Sequence, residues 1–255
     1  MTLQDFLATG VFAFLVLFAR IGSAIMVLPG IGDGFVPGQI RLLFALGFSV
    51  VLAPLLIDSV PALPENPARL AEILLIEAVI GVFIGLIARV LLAALDIGGT
   101  VIAFQMSLSN AFVFNPAQFS QSPIISAFLT LAGSVLLFVT DLHHLLFGAV
   151  LRSYAAFPVA GMPPVGDMAN TFARYVSDAF TIGLQIAAPI VLIGLLIYIG
   201  TGLVNRLMPQ IQIFFVILPL QIAVGFGVFA LTASAMLLFW LDRFESGYLS
   251  FIESW

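Results

Sequence analysis

The 255-residue chain is 62% hydrophobic and only 8% charged, with a mean hydropathy of +1.22. Soluble domains hold roughly 45–50% apolar and about 25% charged residues, so a water-soluble globule is excluded, as are disorder, a collagen-like chain and, with no cysteine, a disulfide scaffold. The net charge of −5 includes eight arginines and no lysine; no basic stripe can track a phosphate backbone, so no nucleic-acid partner is expected, and the composition points to an all-α, multi-helix integral membrane protein.

The first helix follows a base-free start, Met1 to Asp5. A secretory signal would open with positive charge, so this helix is expected to be retained; it carries Arg20 and ends near Pro29-Gly30. A second apolar run, Leu42 to Ile57, closes in a loop with Pro61, Pro64 and Pro67. A third helix spans Leu70 to Leu95 and carries Glu72, Glu77 and Arg89. Ile97 to Thr140 holds no charge but is broken between Ser107 and Pro123 by hydroxyls, amides and prolines. Asp141 to Tyr154 reads as a short amphipathic piece, and Ala156 to Ala169 as an exposed loop. Thr171 to Asn205 and Gln210 to Leu241 form a final helical hairpin with Pro209 at its tip. The tail from Asp242 is expected at the interface, because Trp240, Tyr248 and Trp255 suit a headgroup boundary. Several runs fall short of the roughly 20 apolar residues of a span, and Pro54, Pro189 and Pro219 should kink helices. Kinked hairpins packed against other protein on most sides are the expected architecture.

Charges at membrane depth pair with one another or line a wet path. Arg20, Glu77, Arg89 and Asp96 therefore read first as helix-pairing residues, with a proton or ion path as the sharper alternative. Arg89 and Asp96 lie two turns apart on one helical face. Gly81 and Gly85 form a GxxxG, which permits close helix contact. Asp141-Leu142-His143-His144 holds the two histidines of the chain. Adjacent helical residues point about 100° apart and no third histidine or cysteine is present, so the expected reading is a polar helix start with Asp141 near the N-cap, and no metal, cofactor or catalytic site. The stretch Ser107 to Ile124 is neutral, amide-rich and studded with Phe112, Phe114 and Phe119. It suits a protein-lined cavity, where irregular backbone is tolerated, or an interfacial hairpin.

The residues Gly99-x-x-Ile102-x-Phe104-Gln105-Met106 running into Phe114-Asn115-Pro116 resemble the signature of the FliR family of flagellar biosynthetic proteins. Phe18 to Gly22, Pro37 to Arg41, and Leu203-x-x-Arg206-x-x-Pro209-Gln210 are similar to the same family, and the resemblance runs from about Phe12 to Asp242. The family commonly has Gly where Ser107 stands and Asp where Asn115 stands.

The resemblance implies a non-enzymatic, pore-forming subunit of the type III export gate, in the bacterial inner membrane at the flagellar basal body. Implied partners are FliP-like and FliQ-like subunits, an FlhB-like protein and unfolded export substrates. It implies a FliP-like part, residues 1–170, followed by a FliQ-like hairpin, residues 171–255. It also implies a plug carrying Ser107, Ser109, Asn110, Phe112, Phe114, Asn115, Gln118 and Phe119, and an entrance tip of Asn205, Arg206, Pro209, Gln210 and Gln212. Injectisome export proteins are relatives, and the Phe-Asn-Pro segment leans flagellar. The competing readings are an injectisome gate subunit, a secondary transporter and, last, an intramembrane enzyme. A transporter commonly has two similar halves, and the parts either side of Gly99 show no repeat.

Overall fold

The computed structural model describes residues 3–108, 123–207 and 213–254, with the side chains of 3–9 and 213–216 outside that description. The helices are α1 (Leu3–Val27), α2 (Gly38–Leu56), α3 (Pro67–Gln105), α4 (Ile124–Val139), α5 (Leu142–Ala156), α6 (Val165–Leu207) and α7 (Ile213–Glu253), with a short 3₁₀ turn at Ile57–Ser59. The described residues contain no strand. Five segments are long and apolar enough to cross a membrane: 10–27, 38–59, 67–105, 165–207 and 217–253. The pair α4 and α5 forms a sixth, sharply bent candidate.

The helices are longer than the sequence suggests. α3 does not stop at Leu95 but runs through Asp96 to Gln105, and α6 and α7 reach 43 and 41 residues with Pro189 and Pro219 inside them. The expectation of helices too short to span is therefore corrected for α3, α6 and α7; α4 and α5, at 16 and 15 residues, do fall short. A proline removes one helical hydrogen bond. In an apolar medium, ending the helix would strand several backbone groups without partners, so continuing through the proline is the lesser penalty.

The chain forms two compact units. The first comprises Met1–Leu91, Leu137–Tyr175 and Ser246–Trp255. Its core takes Val16, Leu17, Ile21, Ala24 and Ile25 from α1 and Leu28 just past its end, a stripe at three- and four-residue steps. α3 answers with Ile73, Ile80, Ile84, Ile87 and Leu91, on the same helical period. Leu146, Val150 and Tyr154 of α5 and Tyr248 and Phe251 of α7 complete it.

The second unit comprises Leu92–Leu136 and Val176–Glu245. Ile102 of α3 and Met106 just past its end, Leu129 of α4, Ile186 and Ile190 of α6, and Trp240 and Phe244 of α7 are buried there. Trp240 and Tyr248 are both 0% exposed, which overturns their assignment to a headgroup boundary. The indole of Trp240 reaches Gly133, whose missing side chain leaves room for it, and stands 5.2 Å from the ring of Phe244. Burying a large aromatic against a glycine gains more than its amphipathic preference for an interface.

Candidate functional site

Two features of the first unit depend on one another: a buried ion pair and a glycine step. Gly81 lies one turn along α3 from Glu77 and faces the carbonyl of Arg20 and the hydroxyl of Ser23 so closely that a Cβ would overlap them. One turn further, a Cβ on Gly85 would stand 2.8 Å from Cβ of Val27 and 2.9 Å from the carbonyl of Ala24. The GxxxG thus seats α1 directly on the backbone of α3, and Arg20 is carried within reach of Glu77. Its Nε donates to Glu77 Oε2 at 2.6 Å, with both side chains fully buried.

The remaining guanidinium donors are also used. One terminal nitrogen donates to the carbonyl and hydroxyl of Ser153 at 3.1 and 3.3 Å, the other to the carbonyl of Phe157 at 2.9 Å. The Tyr154 ring lies 4.1 Å from the guanidinium carbon. Glu77 Oε1 accepts the backbone N–H of Ala160 at 3.2 Å. A planar fork with several donors in fixed directions suits this task, and a lysine could not reach all these partners. A buried pair with both members hydrogen-bonded is a clasp that fixes one packing of α1, α3 and the end of α5.

Arg89 makes a second tie. It pairs with Asp33 at 2.5 Å and donates to the carbonyl of Val27 at 3.1 Å, where α1 ends. A cation there complements the helix dipole. Asp33 also accepts the backbone N–H of Gly30, which is held at φ 83. Asp96, in the second unit, accepts a hydrogen bond from the buried hydroxyl of Ser126.

The start of the neutral loop has a definite form. Ser107 adopts φ 60, its N–H bonds the carbonyl of Phe104, and the N–H of Leu108 bonds that of Ala103. These are the two reversed bonds of a Schellman helix end, at the position where glycine is favoured. Ser107 offsets the left-handed backbone with its hydroxyl, which donates to Gln221 Oε1 at 2.6 Å. Gln221 is 4% exposed and its Nε2 has no hydrogen-bond partner among the described residues. Ser109, Asn110, Phe112, Phe114, Asn115, Gln118 and Phe119 lie outside the described residues, as do Pro209, Gln210 and Gln212. Asn205 and Arg206 are exposed in the last turn of α6.

Asp141 stands at the N-cap of α5, as expected, but without a side-chain cap. Its backbone is left-handed at φ 60 and its carboxylate makes no capping bond; the N–H of His144 bonds its carbonyl instead. Substituting His143 and His144 together with Ala is expected to leave the stability of the chain nearly unchanged, since substitutions at partly exposed positions usually move stability by only about ±0.5 kcal/mol. The thermal unfolding midpoint measures this, and a large drop would contradict it.

The sequence did not expose several of these partners. Asp33 and Ser126 lie in loops or apolar runs without a motif, and the carbonyls of Ser153 and Phe157 have no side-chain signature at all.

Residues 11–247 match the family described as Bacterial export proteins, family 1. The chain is also 38% identical to the Flagellar biosynthetic protein FliR of Caulobacter vibrioides, over 92% of this chain and 94% of that one. The chain belongs to the FliR family of bacterial export proteins. Other members keep the likeness over similar lengths. The FliR of Bacillus subtilis is 35% identical over 84% of this chain and 83% of its own, and that of Escherichia coli is 28% identical over 83% and 80%. As a member of the FliR family with five apolar segments of spanning length, the chain is a membrane component of the flagellar export apparatus.

Proposed function

We propose that this FliR-family chain is a non-enzymatic, pore-forming subunit of the flagellar type III export gate, in the bacterial inner membrane at the basal body. It assembles with FliP-like and FliQ-like subunits and an FlhB-like protein around a channel for unfolded export substrates. The observation that carries this reading is the family match across residues 11–247. In it, residues 1–170 act as the FliP-like part and residues 171–255 as the FliQ-like hairpin. Residues 107–124 plug the lumen, and the tip around Asn205 to Gln212 lies at the cytoplasmic entrance.

The distribution of apolar surface supports an assembling subunit. The apolar window of α3 is 61% buried, whereas those of α6 and α7 are only 33% and 17% buried. Leu184, Leu192, Leu196, Leu203 and Leu231 are all more than half exposed. Faces this apolar must be covered by lipid or by other subunits.

Expressed alone, the chain is expected to aggregate or unfold over a broad range. Co-expressed with FliP-like and FliQ-like subunits, it is expected to purify as one complex. Size-exclusion chromatography and thermal unfolding in detergent read the difference. A monodisperse, cooperatively folding monomer that captures neither subunit would overturn the proposal.

A further inference from the structure

The geometry points to a surface site for a divalent transition-metal ion, with zinc the reference, formed by Asp141, His143 and His144. Adjacent helical residues ordinarily diverge by about 100°. Here the two imidazoles, in the first turn of α5, converge to 4.1 Å between ring centroids. The left-handed turn at Asp141 brings the third donor, and one ligand atom from each residue lies within 4.8 Å of the others.

None of the three donors is well used by the protein itself. The Asp141 carboxylate does not cap α5, and His144 Nδ1 stands 3.9 Å from it, beyond hydrogen-bond reach. His143 Nδ1 is buried and has no hydrogen-bond partner among the described residues. Leaving such an atom unpaired is unfavourable, and an ion held by the three residues would use donors that the protein leaves idle.

Two imidazoles and one carboxylate suit zinc, copper or nickel rather than magnesium or calcium, which prefer all-oxygen shells. Donors around a tetrahedral zinc, each at about 2.1 Å, stand roughly 3.4 Å apart. The three donors must therefore close in by about an ångström. Side-chain rotation supplies this, because Asp141 and His144 are 78% and 73% exposed. The fourth position would hold water, and the bound ion would brace the first turn of α5. Phe138 is stacked on His143 at 5.2 Å between ring centroids, which fixes one imidazole before the ion arrives.

The test uses the full chain in the complex with which it co-purifies, or in native membranes, carrying an affinity tag without histidine. After chelator treatment, equilibrium dialysis against micromolar zinc is followed by elemental analysis, and cobalt is titrated separately to follow its visible absorption. Wild type is expected to retain about one zinc per chain and to give the intense absorption of a low-symmetry cobalt site. Asp141→Asn, which keeps the shape of the turn but loses the charge, should weaken zinc binding about tenfold or more. His143→Ala/His144→Ala should abolish it while the complex elutes unchanged. Equal zinc content in wild type and the double variant would overturn the site. Unchanged affinity in Asp141→Asn would overturn the three-ligand arrangement.

Discussion

Replacing residues 109–122 by a short Gly-Ser linker is expected to leave the export complex assembled while raising small-ion conductance across the membrane by an order of magnitude. The segment is uncharged and lies between two apolar helices. Its phenylalanines can fill a lumen and exclude water, while Ser, Asn and Gln groups keep an irregular backbone hydrogen-bonded, as burial requires. Phe112→Ala together with Phe114→Ala should reproduce part of the leak, because filler volume goes and the polar frame stays. Asn110→Ala or Asn115→Ala should act more through order of the loop than through leakage. Conductance or small-solute entry in cells carrying the mutant complex provides the measurement. An assembled complex as tight as wild type would assign residues 107–124 to an ordinary interfacial hairpin.

The second large effect belongs to Arg20. Arg20→Ala should destabilise the chain by about 3–5 kcal/mol, because it leaves the fully buried Glu77 with an uncompensated charge. It also removes the donor held by the Phe157 carbonyl, whereas the Ser153 carbonyl keeps the Phe157 N–H at 2.8 Å. Glu77→Ala should be similarly severe, and Glu77→Gln milder, since an amide still accepts one bond and donates others. Arg20→Lys should rescue only part of the loss. A substitution of both residues by Met should recover stability relative to either single change, as buried ion pairs replaced by apolar side chains often do. The unfolding midpoint of the purified complex, the steady-state level of the chain and swimming motility all report this. A wild-type midpoint in Arg20→Ala would show that the clasp does not hold α1 on α3.

Much of this arrangement was legible in the chain because lipid makes charge rare. Arg20 and Glu77 stand out in apolar helices, and the Gly81–Gly85 spacing marks where another helix can approach. Both signals concern side chains that break a local rule. The partners of Arg20 on α5 break none, since every residue has a carbonyl. The continuation of α3 to Gln105 was missed because Asp96 looks like a boundary until the hydroxyl of Ser126 is placed beside it. Trp240 and Tyr248 were misplaced because their amphipathic character suits an interface and a core equally well; Gly133 decides for the core in the case of Trp240. Asp141 does stand at the N-cap position its place before the helix suggests, but its left-handed backbone comes without a side-chain capping bond, which the sequence does not reveal. The neutral loop was identified by composition, and its first residue by likeness to a glycine position. The left-handed Schellman end supplies the physical reason that glycine is common there.

The buried clasp also bears on how the chain is made. Arg20 is synthesised 57 residues before Glu77, and 133 and 137 residues before the carbonyls of Ser153 and Phe157. An arginine in the middle of a lone apolar helix opposes entry into the bilayer by roughly 2.5–3.5 kcal/mol. That opposition persists while the ribosome completes α2 and the first quarter of α3. It eases when Glu77 emerges and neutralises the charge, and ends once the α5 carbonyls replace the water around the guanidinium. The partners that neutralise Arg20 in the first helix are thus all translated after it, α3 and α5 included.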